Sequence, residues 1–271
     1  MKPRIVQVGL GPLGIKVLQD GVRRGIIDVV GAVDVNPELA GKSLADLGEG
    51  LPDDVTVSGS YDGIDWDRAE VAIVTTSSAL DRCLDTFEAL LERRVHVVSS
   101  CEELLFPWLR HESLAEELDL AARRADKVVL GTGVNPGYVM DLQPLVATGV
   151  CQDVRSIYVA RIQDATTRRI PFQRKIGATL DRDAFEAKAE DGSLRHVGLG
   201  ESLHLVAHGL GWKLDSWEET LEPVIADRDL ECGLGPIPKG VASGVRQVAS
   251  GKVGGTEVLR LEFVAAIGQA D

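Results

Sequence analysis

A strand, glycine turn, helix, strand and acid occupy residues 4–34, and no other stretch constrains the fold as much. Ile5-Val6-Gln7-Val8 is a short, mostly apolar run of the kind a buried parallel strand shows. It leads into Gly9-Leu10-Gly11-Pro12-Leu13-Gly14, a GxGxxG turn. In such a turn Gly9 permits the tight bend, Gly11 lets the backbone approach a pyrophosphate, and Gly14 lets helix and strand pack closely. Pro12 suits a first helical position, where no amide hydrogen is needed, and Leu13, Val17 and Leu18 continue at helical spacing. The next run, Val29-Val30-Gly31-Ala32-Val33, ends on Asp34, about twenty residues past Gly14, where a carboxylate accepts hydrogen bonds from ribose hydroxyls. The pattern predicts a dinucleotide-binding unit with cofactor contacts at Gly9, Gly11, Pro12, Leu13, Gly14 and Asp34. Asp34 favours NAD, because its charge repels a 2′-phosphate; NADP stays open through Lys42 or an arginine from elsewhere.

Strands and helices keep alternating. Val55-Thr56-Val57, Val71-Ala72-Ile73-Val74, Val95-His96-Val97-Val98 and Val128-Val129-Leu130 read as further strands. A short helix is expected within 41–47, and longer ones over 80–93 and 107–126. The expected fold is therefore α/β: a doubly wound parallel Rossmann sheet over residues 1–133. Ligands of such sheets bind beyond the carboxyl ends of the strands. Thr75, Thr76 and Ser77 end one strand and Ser99 another; each is a cofactor-contact candidate, with helix capping as the competing role. His96, inside its strand, reads as a core histidine.

The pattern changes at Gly131-Thr132-Gly133-Val134-Asn135-Pro136-Gly137. Beyond it come a helix over 138–148, a strand over 154–162 and a polar loop over 164–177 rich in arginine and lysine. Helices near 181–190 and 201–210 follow, then strands over 216–225, 245–248 and 258–266, the last two joined around Gly251–Gly255. Residues 134–271 thus read as a second, α+β domain, to which the resemblance described below assigns substrate binding and dimerisation.

A formal charge of −13 argues against nucleic acid or an anionic membrane surface as partner. Cys83, Cys101, Cys151 and Cys232 are scattered without a CxxC, which signals neither a disulfide framework nor a thiolate metal site. The chain enters its first strand almost at once and has no run long enough to span a bilayer, so no signal peptide and a cytoplasmic location are expected. His204 and His208 stand four apart, but Leu-Val-Ala separates them where a zinc protease carries a glutamate, and no metal is expected.

Gly131-Thr132-Gly133-Val134-Asn135-Pro136-Gly137-Tyr138, together with Ser99-Ser100-Cys101-Glu102-Glu103, resembles the 2,4-diaminopentanoate dehydrogenase family. That family includes native NAD(P)-dependent amine dehydrogenases, and its first domain is similar to dihydrodipicolinate reductase. The resemblance continues through Arg168-Arg169, Gln173, Lys175-Ile176-Gly177, His196-Val197-Gly198-Leu199, Glu201-Ser202, Leu210-Gly211-Trp212 and Glu222-Pro223-Val224, nearly the whole chain. Dihydrodipicolinate reductase itself fits worse: its paired-histidine motif with lysine is missing, and its GTTG element reads GTG here. Family members continue for several dozen residues past the point matching Phe263–Gln269, including a helix that returns to the nucleotide domain. Relative to the family this chain is therefore C-terminally short, either as a natural short form or as a piece of a longer protein, and in both cases full closure of the active site stays open.

It also implies oxidative deamination of an amine to a ketone and ammonia, and the reverse, with small-molecule partners and a homodimer. Such chemistry needs a proton-shuttling group and negative charge beside a developing iminium. Glu102, first after its strand, is the chosen catalytic carboxylate and Glu103 the alternate; the competing role for both is complementing a helix dipole. Asn135 is a candidate for the nicotinamide carboxamide or for a simple Asn-Pro-Gly turn. Tyr138, Arg168 and His196 are the substrate candidates. Arg168 suits a substrate carboxylate, and solvated loop positions are the alternative for it and for His196. Two other functions stay open: a Rossmann oxidoreductase acting on a sugar, semialdehyde or cyclic imine, and a non-catalytic NAD(H)-binding protein.

Overall fold

The computed structural model describes residues 2–194 and 196–269. The chain divides into two compact units, Met1–Val134 and Asn135–Asp271. In the first, β1 (Arg4–Val8), α1 (Pro12–Arg23), β2 (Asp28–Val33), β3 (Val57–Ser58), β4 (Val71–Val74), α2 (Leu84–Glu92), β5 (His96–Ser99), α3 (Glu112–Ala125) and β6 (Val129–Gly131) follow in order. All strand pairings are parallel and the spatial order is β3-β2-β1-β4-β5-β6, the arrangement of a dinucleotide-binding sheet. The strands are apolar on both faces because helices cover both. Leu18 of α1 packs with Ile5, Ala32 and Val57 on one side; Phe87 and Leu90 of α2 and Leu118 of α3 pack with Val74 and Val97 on the other.

The order reverses between β1 and β4, so the carboxyl ends of these two strands flank the crevice where such sheets take ligands. Two helix boundaries differ from the sequence pattern. The helix expected over 80–93 begins only at Leu84, after a turn at 81–83. The one expected over 107–126 is broken: Pro107–Leu109 is a 3-10 turn, and α3 starts after His111. The break lets His111 point back at the turn Glu102–Leu105 rather than lie along a helix face.

The second unit runs α4 (Leu142–Ala147), β7 (Ile157–Asp164), α5 (Ile170–Lys175), α6 (Arg182–Glu190), α7 (Leu199–Gly209), β8 (Ser216–Ile225), β9 (Leu230–Cys232), β10 (Gly235–Ile237), β11 (Ala242–Val253) and β12 (Thr256–Ala266). Its main sheet, ordered β7-β12-β11-β8, is antiparallel except for the parallel pair β7–β12. Leu259, Leu261, Phe263 and Ala265 alternate toward a core shared with Phe185 of α6 and Leu199, Leu203 and Val206 of α7. Gly254 and Gly255 turn β11 into β12 with φ of +58° and +77°, values that favour glycine at both positions of a tight hairpin. The expected polar loop over 164–177 contains α5, started by Pro171 in its first turn, and the hairpin β9–β10 was not legible in the pattern. Among the described residues, no helix is long and apolar enough to cross a membrane.

Candidate active site

The glycine turn is built for an anion. Gly9 has φ +89°, and a Cβ there would lie 2.9 Å from Thr75 O and from Thr76 Cγ2. A Cβ on Gly14 would lie 2.1 Å from Gly9 O and 2.6 Å from Thr75 Oγ1, so only hydrogen lets α1 sit this close to β1 and β4. Gly11 is different. Its φ of −64° suits any residue and nothing of the protein lies within 4 Å of where its Cβ would be. The chain's own packing does not ask for glycine there, and the space beside it is open. Gly11 caps α1 without a side-chain acceptor, Pro12 follows, and the first turn carries no acid, so the helix's free amides and positive end remain available to phosphate. Beneath the turn, buried Gln7 donates through Nε2 to Gly9 O (3.0 Å) and Thr75 Oγ1 (2.8 Å), and Thr75 Oγ1 donates to Gly9 O (2.9 Å). Leu13 projects outward, 53% exposed.

Asp34 lies at the end of β2, where one carboxylate oxygen accepts Leu10 N–H (2.6 Å) and the other Asn36 N–H (2.8 Å). It borders a cavity of about 330 Å³, lined also by Val8, Gly9, Val33, Tyr61 and Thr76, a size and apolar character suited to an adenosine. Unit charges about 4 Å apart repel by roughly 1–4 kcal/mol between bulk water and a protein surface. Asp34→Asn is therefore expected to raise the NADP-to-NAD affinity ratio by about tenfold or more. Titrating both cofactors against the variant checks it; an unchanged ratio would remove Asp34 from cofactor discrimination.

The hydroxyls assigned to the cofactor side divide. Ser99 is 1% exposed and spent on the backbone: it donates to Val74 O (3.3 Å) and accepts Cys101 N–H (3.1 Å), so it holds the end of β5. Ser77 accepts Ala79 N–H (3.2 Å) in a local turn. Thr76 lines the adenosine-sized cavity, its Oγ1 3.8 Å from the Cys83 sulfur. Hydrogen bonding by Cys101 and then Thr76 lowers the Cys83 thiol to about 7, while Cys101 is pushed up.

The two glutamates after β5 also divide. Glu103 Oε2 accepts Leu80 N–H (2.9 Å) and bonds His111 Nε2 (2.9 Å). Glu102, half-buried one residue earlier at the carboxyl end of β5, has no hydrogen bond or ion pair among the described residues. Its carboxylate is free for chemistry.

A polar cluster forms in the second unit. Asn135 Nδ2 donates to His196 Nε2 (3.0 Å), and Asn135 Oδ1 is buried without a partner among the described residues. The two segments meet because Gly198, at φ +99°, leaves no room for a side chain: a Cβ there would lie 2.4 Å from Pro136 Cγ. Gln247 grips the His196 backbone at both ends, accepting its N–H (2.7 Å) and donating to its carbonyl (3.0 Å), and also bonds Glu219. The His196 ring stacks on Phe263 at 4.7 Å, and the Arg161 guanidinium lies 5.6 Å from the same Phe263 ring.

Burial, then the positive charges of Lys175 and Arg161, hold the His196 imidazole down at about 4. Its unfolded value is near 6.5, so between pH 6.5 and 4 the unfolded chain binds the extra proton. Stability is therefore complete above about pH 6.5 and falls as pH drops toward 4. Urea midpoints measured across that range are expected to fall less steeply for His196→Gln than for the parent; parallel slopes would contradict the buried neutral ring.

Arg161, not Arg168, is the sheltered arginine of the two. Arg168 is exposed and lies over its own neighbour Phe172 at 4.7 Å. Arg161 is half-buried, bonds only Gln163 Oε1 (3.1 Å) and has no carboxylate within ion-pair distance among the described residues. Burial, then the charge of Arg168, lowers its affinity for its proton. Tyr138 is 51% exposed. His204, the first of the spaced pair, bonds Gly200 O through Nδ1 (2.8 Å) and meets Trp217 edge-on.

Residues 138–268 match the family model of the 2,4-diaminopentanoate dehydrogenase C-terminal domain. Over 259 residues the chain is 29% identical to 2,4-diaminopentanoate dehydrogenase from Acetoanaerobium sticklandii, spanning 94% of this chain and 73% of that protein. The chain is a relative of 2,4-diaminopentanoate dehydrogenase. Among solved structures it is similar to an amine dehydrogenase from Mycobacterium smegmatis, with TM-score 0.81 and 19% identity over 98% of this chain and 80% of that one. UDP-N-acetylglucosamine 3-dehydrogenase from Acidithiobacillus ferrooxidans matches at TM-score 0.60 and 13% identity, over 100% and 72% of the two chains. At these identities the likeness is one of fold. In this relative of 2,4-diaminopentanoate dehydrogenase, the motifs that carry the resemblance surround the clusters just described: Asn135-Pro136-Gly137 opens the second unit, His196-Val197-Gly198 packs on it, and Asp141 ties that opening to α7 through Gly137 N–H (2.8 Å) and Ser202 Oγ (2.6 Å).

Proposed function

We propose that the chain is an NAD(P)-dependent oxidoreductase acting on an amine, converting it to a ketone and ammonia and catalysing the reverse. The observation that carries this reading is Glu102: a half-buried, unspent carboxylate at the carboxyl end of a strand in the same domain as the pyrophosphate cradle. NAD(P), when bound, takes up or delivers the hydride. Glu102 supplies the rest of the proton chemistry. In deamination its negative charge stabilises the substrate's iminium, it takes a proton from the attacking water and passes it to the amine nitrogen of the carbinolamine, and it takes the remaining hydroxyl proton as ammonia leaves and the ketone forms. Gly9, Gly11 and the start of α1 bind the pyrophosphate, and Asp34 takes the adenosine ribose of NAD.

Arg161 and the neutral His196–Asn135 pair are assigned to substrate. An uncompensated, half-buried guanidinium suits a carboxylate on the amine, and the neutral imidazole and the Asn135 amide beside it offer hydrogen-bonding groups. The test is to mix the purified chain with NAD or NADP and either 2,4-diaminopentanoate or a panel of simple amines without a carboxylate, following reduced nicotinamide absorbance. Amine-dependent reduction supports the reaction class, and preference for the carboxylate-bearing amine supports Arg161. NADH binding with no reduction by any amine would overturn the reading.

A further inference from the structure

The Glu102 turn and the loop between β4 and α2 are joined by more than chain connectivity. Glu103 N–H donates to Ser78 O (3.2 Å), Cys101 Sγ lies 3.2 Å from the same carbonyl, and Glu103 Oε2 accepts Leu80 N–H (2.9 Å). His111 Nε2–H donates to the same Glu103 Oε2 at 2.9 Å. Both side chains are sheltered, Glu103 at 12% exposed and His111 at 26%, and Leu80 is fully buried. On its other flank the Glu102–Leu105 turn rests on Gly131 of β6, where a Cβ would lie 2.8 Å from Leu104 O. A loop at the carboxyl end of β4, part of the ligand crevice, is thus clamped to the segment that presents Glu102.

We propose that Glu103 and His111 are positioning residues: a brace that fixes the 75–80 loop against the Glu102 turn, with Glu103 taking no part in proton transfer. The assignment of Glu102 as the group being positioned rests on the function proposed above; the brace itself does not. A carboxylate is suited to the task because it accepts from a backbone amide and from an imidazole at once, and a buried amide left without an acceptor loosens its segment.

The test uses the full chain with Glu103→Ala, Glu103→Gln, His111→Ala and His111→Gln, reading hydrogen exchange over residues 76–83, NADH affinity, and kcat and KM with the amine. Glu103→Ala is expected to speed exchange in that segment and to weaken NADH binding by about tenfold, the scale of one lost buried hydrogen bond. His111→Ala should do the same more weakly. Glu103→Gln should restore most of what Glu103→Ala loses, because an amide oxygen in the place of Oε2 still accepts from both Leu80 N–H and His111 Nε2–H; His111→Gln restores the second bond through its own NH2. Exchange and affinity at parent values in Glu103→Ala would overturn the proposal. So would a Glu103→Gln variant as slow as Glu102→Gln with affinity and exchange intact, since Glu103 would then be the proton carrier. If the parent chain turns over no amine but the exchange and affinity changes appear, the brace stands and the proposed reaction falls.

Discussion

Glu102→Gln is expected to slow amine turnover by about 10²–10⁴, the range for loss of a positioned acid–base group. Binding of NADH should change little, because the cradle is built from Gly9, Gly11, Gly14 and the start of α1 rather than from this carboxylate. The substitution is close to isosteric, and Glu102 has no hydrogen bond within the described structure to lose, so thermal stability should hold as well. A fall in kcat with unchanged NADH affinity and unchanged melting is therefore the signature of a proton-transfer role. Near-parent turnover would take Glu102 out of the mechanism, and parallel loss of binding and stability would reassign it to structure.

The second large effect separates two glycines of one motif. Gly14→Ala places a methyl 2.1 Å from Gly9 O, a backbone atom that moves only if the turn itself moves. Overpacking of this kind costs about 1–3 kcal/mol and sometimes more, and the variant should both melt several degrees lower and lose the cofactor. Gly11→Ala has room for its methyl and a backbone already at φ −64°, so it should melt at or slightly above the parent temperature while NADH affinity falls by at least about tenfold. Melting curves and NADH titrations of the two variants form one experiment. If Gly11→Ala bound NADH like the parent, the pyrophosphate would lie elsewhere and the turn would be only a packing device.

Local chemistry made the nucleotide domain readable. Gly14 is demanded by Gly9 just before it, Asp34 takes the amides of Leu10 and Asn36, and each βα unit repeats the same apolar strand and amphipathic helix, so the parallel order follows from short-range rules. Helix limits read less well where a proline begins a 3-10 turn, as at Pro107, or starts a helix inside a polar stretch, as at Pro171. The second unit hid its polar cluster because its members come from four strands and two loops. A signal was present: in β7, Arg161 and Gln163 share the parity of Ile157 and Val159, and in β11, Gln247 shares that of Val245 and Ala249, so charged and polar side chains stand at core-facing positions. Reading that parity would have favoured Arg161 over Arg168.

The sequence alone determined the glycine turn, the acid that ends β2, the strand–helix alternation and the family likeness, because each is written in neighbouring residues or in ordered motifs. Only the tertiary structure decided which of two adjacent glutamates is free. Glu102 and Glu103 are chemically identical side by side, and what distinguishes them is Leu80 and His111, brought to Glu103 by chain reversals that no local pattern specifies. The same holds for His196, whose neutral state comes from burial and from cations on β7 and α5 rather than from its own neighbours in the chain.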